Sequence, residues 1–216
     1  MRALVLANGE YGPIDRLKLR LRGADLIVCA DGGANYAYHL GLRPDYIVGD
    51  MDSIHSQVLD YFKQQGTIIH TYPARKDFTD LQLALELIME QGVTDLLIAG
   101  ALGGRLDHCL ANLMAGIPLL LERIKVCYIS TGLCVCLCSD DLSLHGQAGD
   151  LVSLVPLSDQ VSGVTLKGFE YPLQQALLTR DNPYAISNVL LGSSGEIVIA
   201  EGIVAVFHYQ SPEEEP

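Results

Sequence analysis

Positive charge is scarce in this chain: 14 Lys+Arg stand against 26 Asp+Glu, a formal charge of -12 over 216 residues. Such a field repels phosphate backbones and anionic lipid surfaces, so nucleic acid and membranes are not expected partners. A compact anionic ligand could bind only where positive charge is supplied locally, and a divalent metal is the obvious supplier. Long apolar runs are missing too. The first, residues 3–7, is too short for the apolar region of a signal peptide, and no later run reaches the length of a membrane span, so a cytoplasmic location is expected. Zinc-knuckle spacing is absent: Cys134, Cys136 and Cys138 alternate within LCVCLC, with no histidine nearer than His145. In a strand all three face one way as small core residues. No Walker A sequence is present, so that loop is not available to hold phosphates. The chain has no internal repeat and no low-complexity segment.

The length fits one large domain or one domain plus a smaller one. Short β-branched runs at 3–7, 26–30, 46–48, 67–71, 96–99 and 125–130 alternate with helical patterns such as 56–65, 80–91 and 106–121. Strand, helix, strand at this spacing predicts βαβ units, hence an α/β domain over 1–131 with a mostly parallel sheet and helices on both faces. After about Gly132 the pattern changes to short β-rich segments (LCVCLC, LVSLVPL, GVTLKG, AISNVLL, GEIVIA, IVAVFHY) separated by Gly, Ser, Asp or Pro. These predict a smaller antiparallel β-sandwich domain over 132–210. The tail 211–216, SPEEEP, is acidic and proline-flanked, and disorder is expected there.

In open α/β sheets ligands bind beyond the carboxyl ends of the strands, where polar clusters fall repeatedly here. Asn8-Gly9 follows the first strand, Asp31-Gly32-Gly33-Ala34-Asn35 the second, GDMDS (49–53) the third, KDFTD (76–80) the fourth and GALGGR (100–105) the fifth. Taken alone, Asp31 with its glycines reads as a turn and helix start. Asp77 and Asp80, three apart at a helix opening, fit an N-cap and first-turn acid as well as they fit a site. Gly103-Gly104 before a helix can serve close packing or, with Arg105, a phosphate cradle. His108 reads as a helix-start residue rather than a base.

GDMDS resists the bland reading. In extended chain, residues two apart point the same way with Cα atoms roughly 6.5 Å apart, so Asp50 and Asp52 can reach one ion. Their repulsion at about 4 Å would be on the order of 4 kcal/mol at an effective dielectric near 20, which a magnesium ion removes. Magnesium takes one or two carboxylates, waters and substrate phosphates, and this oxygen-only set suits it.

The ordered set ADGGAN (30–35), PDYIVGDMDS (44–53), KDFTD (76–80) and GALGGRLDH (100–108) resembles the thiamine pyrophosphokinase family, and LKGFEYPL (166–173) and ISN (186–188) look like its thiamine-side motifs. The resemblance implies transfer of the terminal pyrophosphoryl unit of ATP to thiamine, giving thiamine diphosphate and AMP, by a homodimer with Mg2+. It implies magnesium ligands at Asp50, Asp52 and Asp80, with Asp77 and Asp107 completing the acidic catalytic site. Asn8, Asp31, Gly32, Gly33, Asn35, Lys76, Thr79, Gly103, Gly104 and Arg105 would bind ATP and its phosphates. Phe169, Tyr171, Ser187 and Asn188 would bind thiamine, the cleft being completed by the partner's β domain. The stretch 179–184, TRDNPY, departs from the family's glycine and serine pattern. Alternatives of the same architecture are a metal-dependent pyrophosphokinase or phosphohydrolase acting on another small alcohol, such as a pterin, or a non-catalytic thiamine or nucleotide sensor.

Overall fold

The computed structural model describes residues 1–75, 77–182 and 184–210. Lys76 and the acidic tail 211–216 lie outside the described residues. The chain forms two compact units, Met1–Thr131 and Gly132–Pro216.

The first unit carries strands β1 (Arg2–Leu6), β2 (Leu26–Ala30), β3 (Tyr46–Gly49), β4 (Ile68–Thr71), β5 (Asp95–Ala99) and β6 (Lys125–Ser130). Its helices are α1 (Gly33–Leu40), α2 (Ser56–Gln64), α3 (Asp80–Met89), α4 (Leu106–Ala115) and α5 (Ile117–Leu121). The strands run in the order β6-β5-β1-β2-β3-β4, and every pair is parallel. Successive residues of a strand face opposite sides. Ala3, Leu4, Val5 and Leu6 are all buried to 1% exposure or less, so both faces of the sheet are covered.

The order places β1 at the centre. From it the chain steps outward through β2, β3 and β4, then returns to pair β5 on the other side of β1. That reversal leaves a crevice beyond the carboxyl ends of β1 and β5, where open α/β sheets bind ligands. The Tyr11 hydroxyl, 2.8 Å from the Ala7 carbonyl and 3.2 Å from that of Ala99, ties the two strand ends together beneath it.

One expected helix is two. The pattern over 106–121 breaks at Gly116, the C-cap of α4 and the N-cap of α5, and Pro118 sits in the first turn of α5. Proline has no amide to donate and is tolerated in a first turn but not in a helix interior.

The second unit is a β-sandwich. Strands β7 (Leu133–Cys138), β9 (Leu151–Pro156), β12 (Asn188–Val189) and β14 (Val204–Tyr209) lie in the order β12-β9-β14-β7. Strands β8 (Asp141–His145), β10 (Gln160–Lys167), β11 (Leu173–Thr179) and β13 (Ser194–Val198) lie in the order β11-β10-β13-β8. The pairings between these strands are antiparallel. Val152, Leu154 and Val206 of one layer and Val164, Leu166 and Ile197 of the other share a single buried cluster. Strand β11, LQQALLT, has helix-favouring residues and none of the β-branched runs that mark the other strands. Pairing with β10 overrides that preference, with register shifts around Val164 and with Gln175 in the left-handed region.

Within β7, Cys134 and Cys136 lie on one side, their sulfurs 3.7 Å apart, and are half-buried. Cys138 is buried, and burial pushes its thiol up to about 11.

Candidate active site

The crevice of the first unit opens into a cleft of about 690 Å³, lined at its floor by Asp31, Asp50, Asp52 and Asp80 and at its rim by Asn8, Glu10, Tyr36, Gly103, Gly104 and Arg105. The ends of β1, β2, β3 and β5 and the starts of α3 and α4 supply this lining.

Asp31 ends β2 in the left-handed region, at φ 43°, and its amide donates to the Val48 carbonyl (2.8 Å), which fixes it beside β3. A non-glycine residue held there stores backbone strain of order 1–3 kcal/mol and is worth a functional explanation. The side chain is 5% exposed, and its Oδ1 is the buried side-chain polar atom without a hydrogen-bond partner among the described residues. Burial raises the Asp31 carboxyl above its ordinary value, the neighbouring Asp80 and Asp50 charges add to this, and the Gly32 amide offsets it in part.

Asp50 and Asp52 do converge, by a route other than the extended chain expected from the sequence. Met51 adopts φ 68°, and the Asp52 amide approaches Asp50 Oδ1 at 3.3 Å, so the segment is a tight turn. The Ser53 hydroxyl donates to Asp52 Oδ1 (2.8 Å). Carboxylate oxygens of Asp31, Asp50 and Asp52 lie within 4.8 Å of one another. Each pair at that distance repels by about 3 kcal/mol at an effective dielectric near 20, and by less at exposed Asp52, where water screens it. Three oxygen donors, with no nitrogen or sulfur among them, form the set that suits a hard divalent cation such as magnesium. Asp31, assigned from the sequence to nucleotide, sits with Asp50 and Asp52. Asp80 lines the same cleft from the first turn of α3, and its Oδ1 is 3.0 Å from where a Cβ on Gly49 would lie.

Thr79, not Asp77, caps α3. The Gln82 amide donates to Thr79 Oγ1 (3.2 Å) and the Thr79 amide donates to Gln82 Oε1 (2.9 Å), a complete capping box. Asp77 is exposed in the loop before it.

The glycines act by allowing close approach. A Cβ on Gly33 would lie 1.9 Å from the Leu6 carbonyl oxygen, and one on Gly32 would lie 2.3 Å from Asn8 Oδ1. These two seat the start of α1 on β1 and under Asn8, and neither lines the cleft. Asn35 does not line it either: both ends of its amide are engaged by the backbone after Asp52. Gly103 and Gly104 adopt φ 99° and 67° beside Glu10, whose carboxylate the sequence reading missed. Straps from α4 hold this loop. The Gly103 amide donates to Cys109 Sγ (3.2 Å), and Asn112 Nδ2 donates to the Ala101 carbonyl (2.7 Å). Tyr36, also missed, stacks at 4.0 Å on the buried Tyr11. Asn112 stands among the apolar residues of α4 and Tyr36 follows a polar cluster as an ordinary helix residue, so neither is marked by its neighbours.

Arg105 occupies the N-cap of α4 and makes a two-point ion pair with Asp107 (3.1 and 2.5 Å). The guanidinium holds the Asp107 carboxyl down at about 2. His108 is exposed at the cleft rim.

In the second unit, Phe169 is 2% exposed and its ring fills the space over Gly195, where a Cβ would lie 2.5 Å from Cζ. It packs as a core residue in this unit. Asn188 is 4% exposed and clasps the chain: its Oδ1 accepts from the Tyr171 and Val189 amides (2.9 Å each), and its Nδ2 donates to the Tyr171 carbonyl (2.8 Å). Tyr171 is 61% exposed beside this clasp. Ser187 is exposed, sits at φ 58°, and its amide donates to Ser153 Oγ (2.9 Å).

Comparison with known proteins bears on both units. Residues 17–128 match the family profile of the thiamin pyrophosphokinase catalytic domain, and residues 141–204 match that of the thiamin pyrophosphokinase vitamin B1 binding domain. Thiamine pyrophosphokinase of Bacillus subtilis is 31% identical over 213 residues, covering 93% of this chain and 94% of its own. A crystal structure of the Bacillus subtilis enzyme superposes with a TM-score of 0.86 at 27% identity, covering 98% of this chain and all of its own. That of the Geobacillus thermodenitrificans enzyme gives 0.81 at 27% identity over 99% of both chains. Matches that span both units, over an acidic cleft built at the strand ends, show that the chain belongs to the thiamin pyrophosphokinase family.

Proposed function

We propose that this chain transfers the pyrophosphoryl group of ATP to the hydroxyethyl oxygen of thiamine, giving thiamine diphosphate and AMP. The observation that carries the reading is the convergence of carboxylate oxygens from Asp31, Asp50 and Asp52, beside an Asp31 whose Oδ1 is buried and unpartnered, within a catalytic-domain match. Asp31, Asp50 and Asp52 would hold magnesium, with Asp80 adding negative charge to the same floor. Magnesium, when bound, neutralises phosphate charge, which is most of what phosphoryl transfer asks of its surroundings. The protein supplies the rest by position. Arg105 at the start of α4 can turn its fork from Asp107 to a phosphate, and Asn8 and Gly104 bound the space beside it. Asp80, which lines the cleft, is better placed than the exposed Asp77 to accept the alcohol proton.

Thiamine carries a positive thiazolium. A chain of net charge -12 attracts it, and the exposed Tyr171 offers a ring face for it, with Ser187 nearby. Among the described residues no helix is long and apolar enough to cross a membrane, and a cytoplasmic location accords with the need for ATP. A homodimer is part of the reading: Leu106, Leu110 and Met114, one turn apart on α4, are 73%, 53% and 46% exposed, an apolar stripe that a second copy would cover. Light scattering should then return twice 23.4 kDa.

The direct test incubates the protein with ATP, magnesium and thiamine and identifies both products by mass. Thiamine diphosphate and AMP, formed only when thiamine is present, support the proposal. Orthophosphate released without an acceptor makes the protein a phosphohydrolase, and no turnover with retained ligand binding makes it a sensor.

A further inference from the structure

We infer that Asn35 is a positioning residue that sets how tightly the Asp50–Asp52 turn holds a divalent cation, acting through the backbone and not by touching nucleotide. The inference deepens the proposed function and rests on its metal site. Asn35 Nδ2 donates to the Ser53 carbonyl (2.9 Å), and Asn35 Oδ1 accepts from the His55 amide (3.1 Å). One planar amide thus bridges two backbone groups, on either side of Ile54, in the connection between β3 and α2. Reversing the amide would set donor against donor and acceptor against acceptor, so both contacts fix its orientation.

The clamp starts from an immobile place. Asn35 lies in the first turn of α1, and Gly33, two residues before it, packs so closely on β1 that no Cβ fits. It ends next to the carboxylates, since Ser53 directly follows Asp52 and its hydroxyl holds Asp52 Oδ1 at 2.8 Å. The held turn works against two opposing tendencies: Met51 sits in the left-handed region, and its flanking aspartates repel. A turn so loaded would relax outward without an external tie, separating the two oxygens before any cation arrives. Pre-setting them removes an ordering penalty from metal binding. Asn35 is absent from the lining of the acidic cleft and instead lines a neighbouring groove of about 580 Å³ with His39 and His55, so its effect reaches the cleft only through the turn.

The test uses Mn2+ as the probe, titrated into the purified, nucleotide-free full chain and followed by loss of the free-ion electron paramagnetic resonance signal. Asn35→Ala should bind Mn2+ at least about tenfold more weakly than the parent, equivalent to ~1.4 kcal/mol. The Mg2+ concentration needed for half-maximal turnover should rise by a similar factor, while kcat at saturating Mg2+ returns to within about threefold. Unchanged Mn2+ affinity in folded Asn35→Ala overturns the inference, and so does a change confined to ATP affinity measured without metal. Should Asn35→Ala not fold, Asn35→Asp carries the test. It keeps the acceptor for the His55 amide and loses the donor to Ser53, so binding weaker than the parent despite the added negative charge supports the clamp. Equal or tighter binding overturns it. Asp52→Asn is the control: if it binds Mn2+ as well as the parent, the metal site itself is misassigned, a failure distinct from that of the clamp.

Discussion

The two units use buried and half-buried polar groups in opposite ways. In the first, the polar residues at the strand ends turn into a cleft. Asp31, in the left-handed region, lines it and is buried without a partner for Oδ1. In the second, comparable residues turn back on the chain: Asn188 holds Tyr171 and Val189, and the buried pair of Asp150 and His208 meets at 2.8 Å, with Asp150 also accepting the Gln147 amide. A polar side chain inside a fold is stable when satisfied and costly when it is not. An unsatisfied one therefore marks a place completed by a ligand, while a satisfied one marks architecture. By this criterion the first unit holds the charge-bearing chemistry, and the second offers its exposed faces, Tyr171 above all.

Breaking the comparison at its strongest point means removing a carboxylate from the cleft. Asp52→Asn should lower kcat by at least about 1,000-fold while leaving thermal unfolding unchanged or slightly raised, since one repulsive charge is gone. Circular dichroism and the product assay check both halves of this. Near-parental activity of a folded Asp52→Asn protein at ordinary magnesium would falsify the role given to the turn.

The next largest effect separates core from surface within the second unit. Phe169→Ala should destabilise that unit by about 3 kcal/mol or more, because a buried ring over Gly195 leaves a cavity. Tyr171→Ala should change stability by less than about 0.5 kcal/mol and act on thiamine KM instead. Denaturant unfolding and KM measured on both variants decide it. The reverse pattern would move the thiamine contact to Phe169 and undo the contrast.

What could be read from the sequence follows the same division. The α/β order, the strand ends and the four motif clusters were legible because apolar runs punctuated by Gly and Asp carry both fold and site in one dimension. The turn geometry that brings Asp31, Asp50 and Asp52 together was not, since it depends on left-handed backbone at Asp31, and at Met51 where an extended chain was expected. Asn35 looked like a ligand residue because it stands in a polar, glycine-rich motif at a strand end. Only its two backbone partners reveal a tie. In the second unit, Phe169 is buried and Asn188 is bonded to the backbone: an aromatic and an amide in a β segment read alike whether they face a ligand or the core. Strand β11 was missed because pairing with β10, and not its own composition, makes it extended.

A smaller effect tests the rim. Arg105 presents a planar fork that its Asp107 contact already uses at two points, and a lysine offers one point charge in its place. Arg105→Lys should lower kcat/KM for ATP by about tenfold with thiamine KM little changed. Parental kinetics at every ATP concentration would turn the guanidinium away from the phosphates and leave Gly103 and Gly104 as packing residues.

The smallest effect is a titration. Asp107 is held at about 2 by the Arg105 fork, below the ordinary carboxylate value of about 3.9. A depressed pKa means the folded chain releases this proton more readily than the unfolded one. The pair's contribution is therefore fully present above the ordinary value and is lost as pH falls through about 2. Both side chains are exposed, so the effect on unfolding is slight and the measurement must be local: the carboxyl-carbon resonance of Asp107 followed through acid. Its midpoint should lie near 2 in the parent and move toward the ordinary value in Arg105→Lys, where the fork is gone. If Arg105 exchanges Asp107 for a phosphate, magnesium pyrophosphate at moderate acidity should also raise that midpoint. A midpoint that pyrophosphate leaves unmoved would mean Arg105 stays with Asp107, as Asp150 stays with His208, and this edge of the cleft would then belong to the architecture.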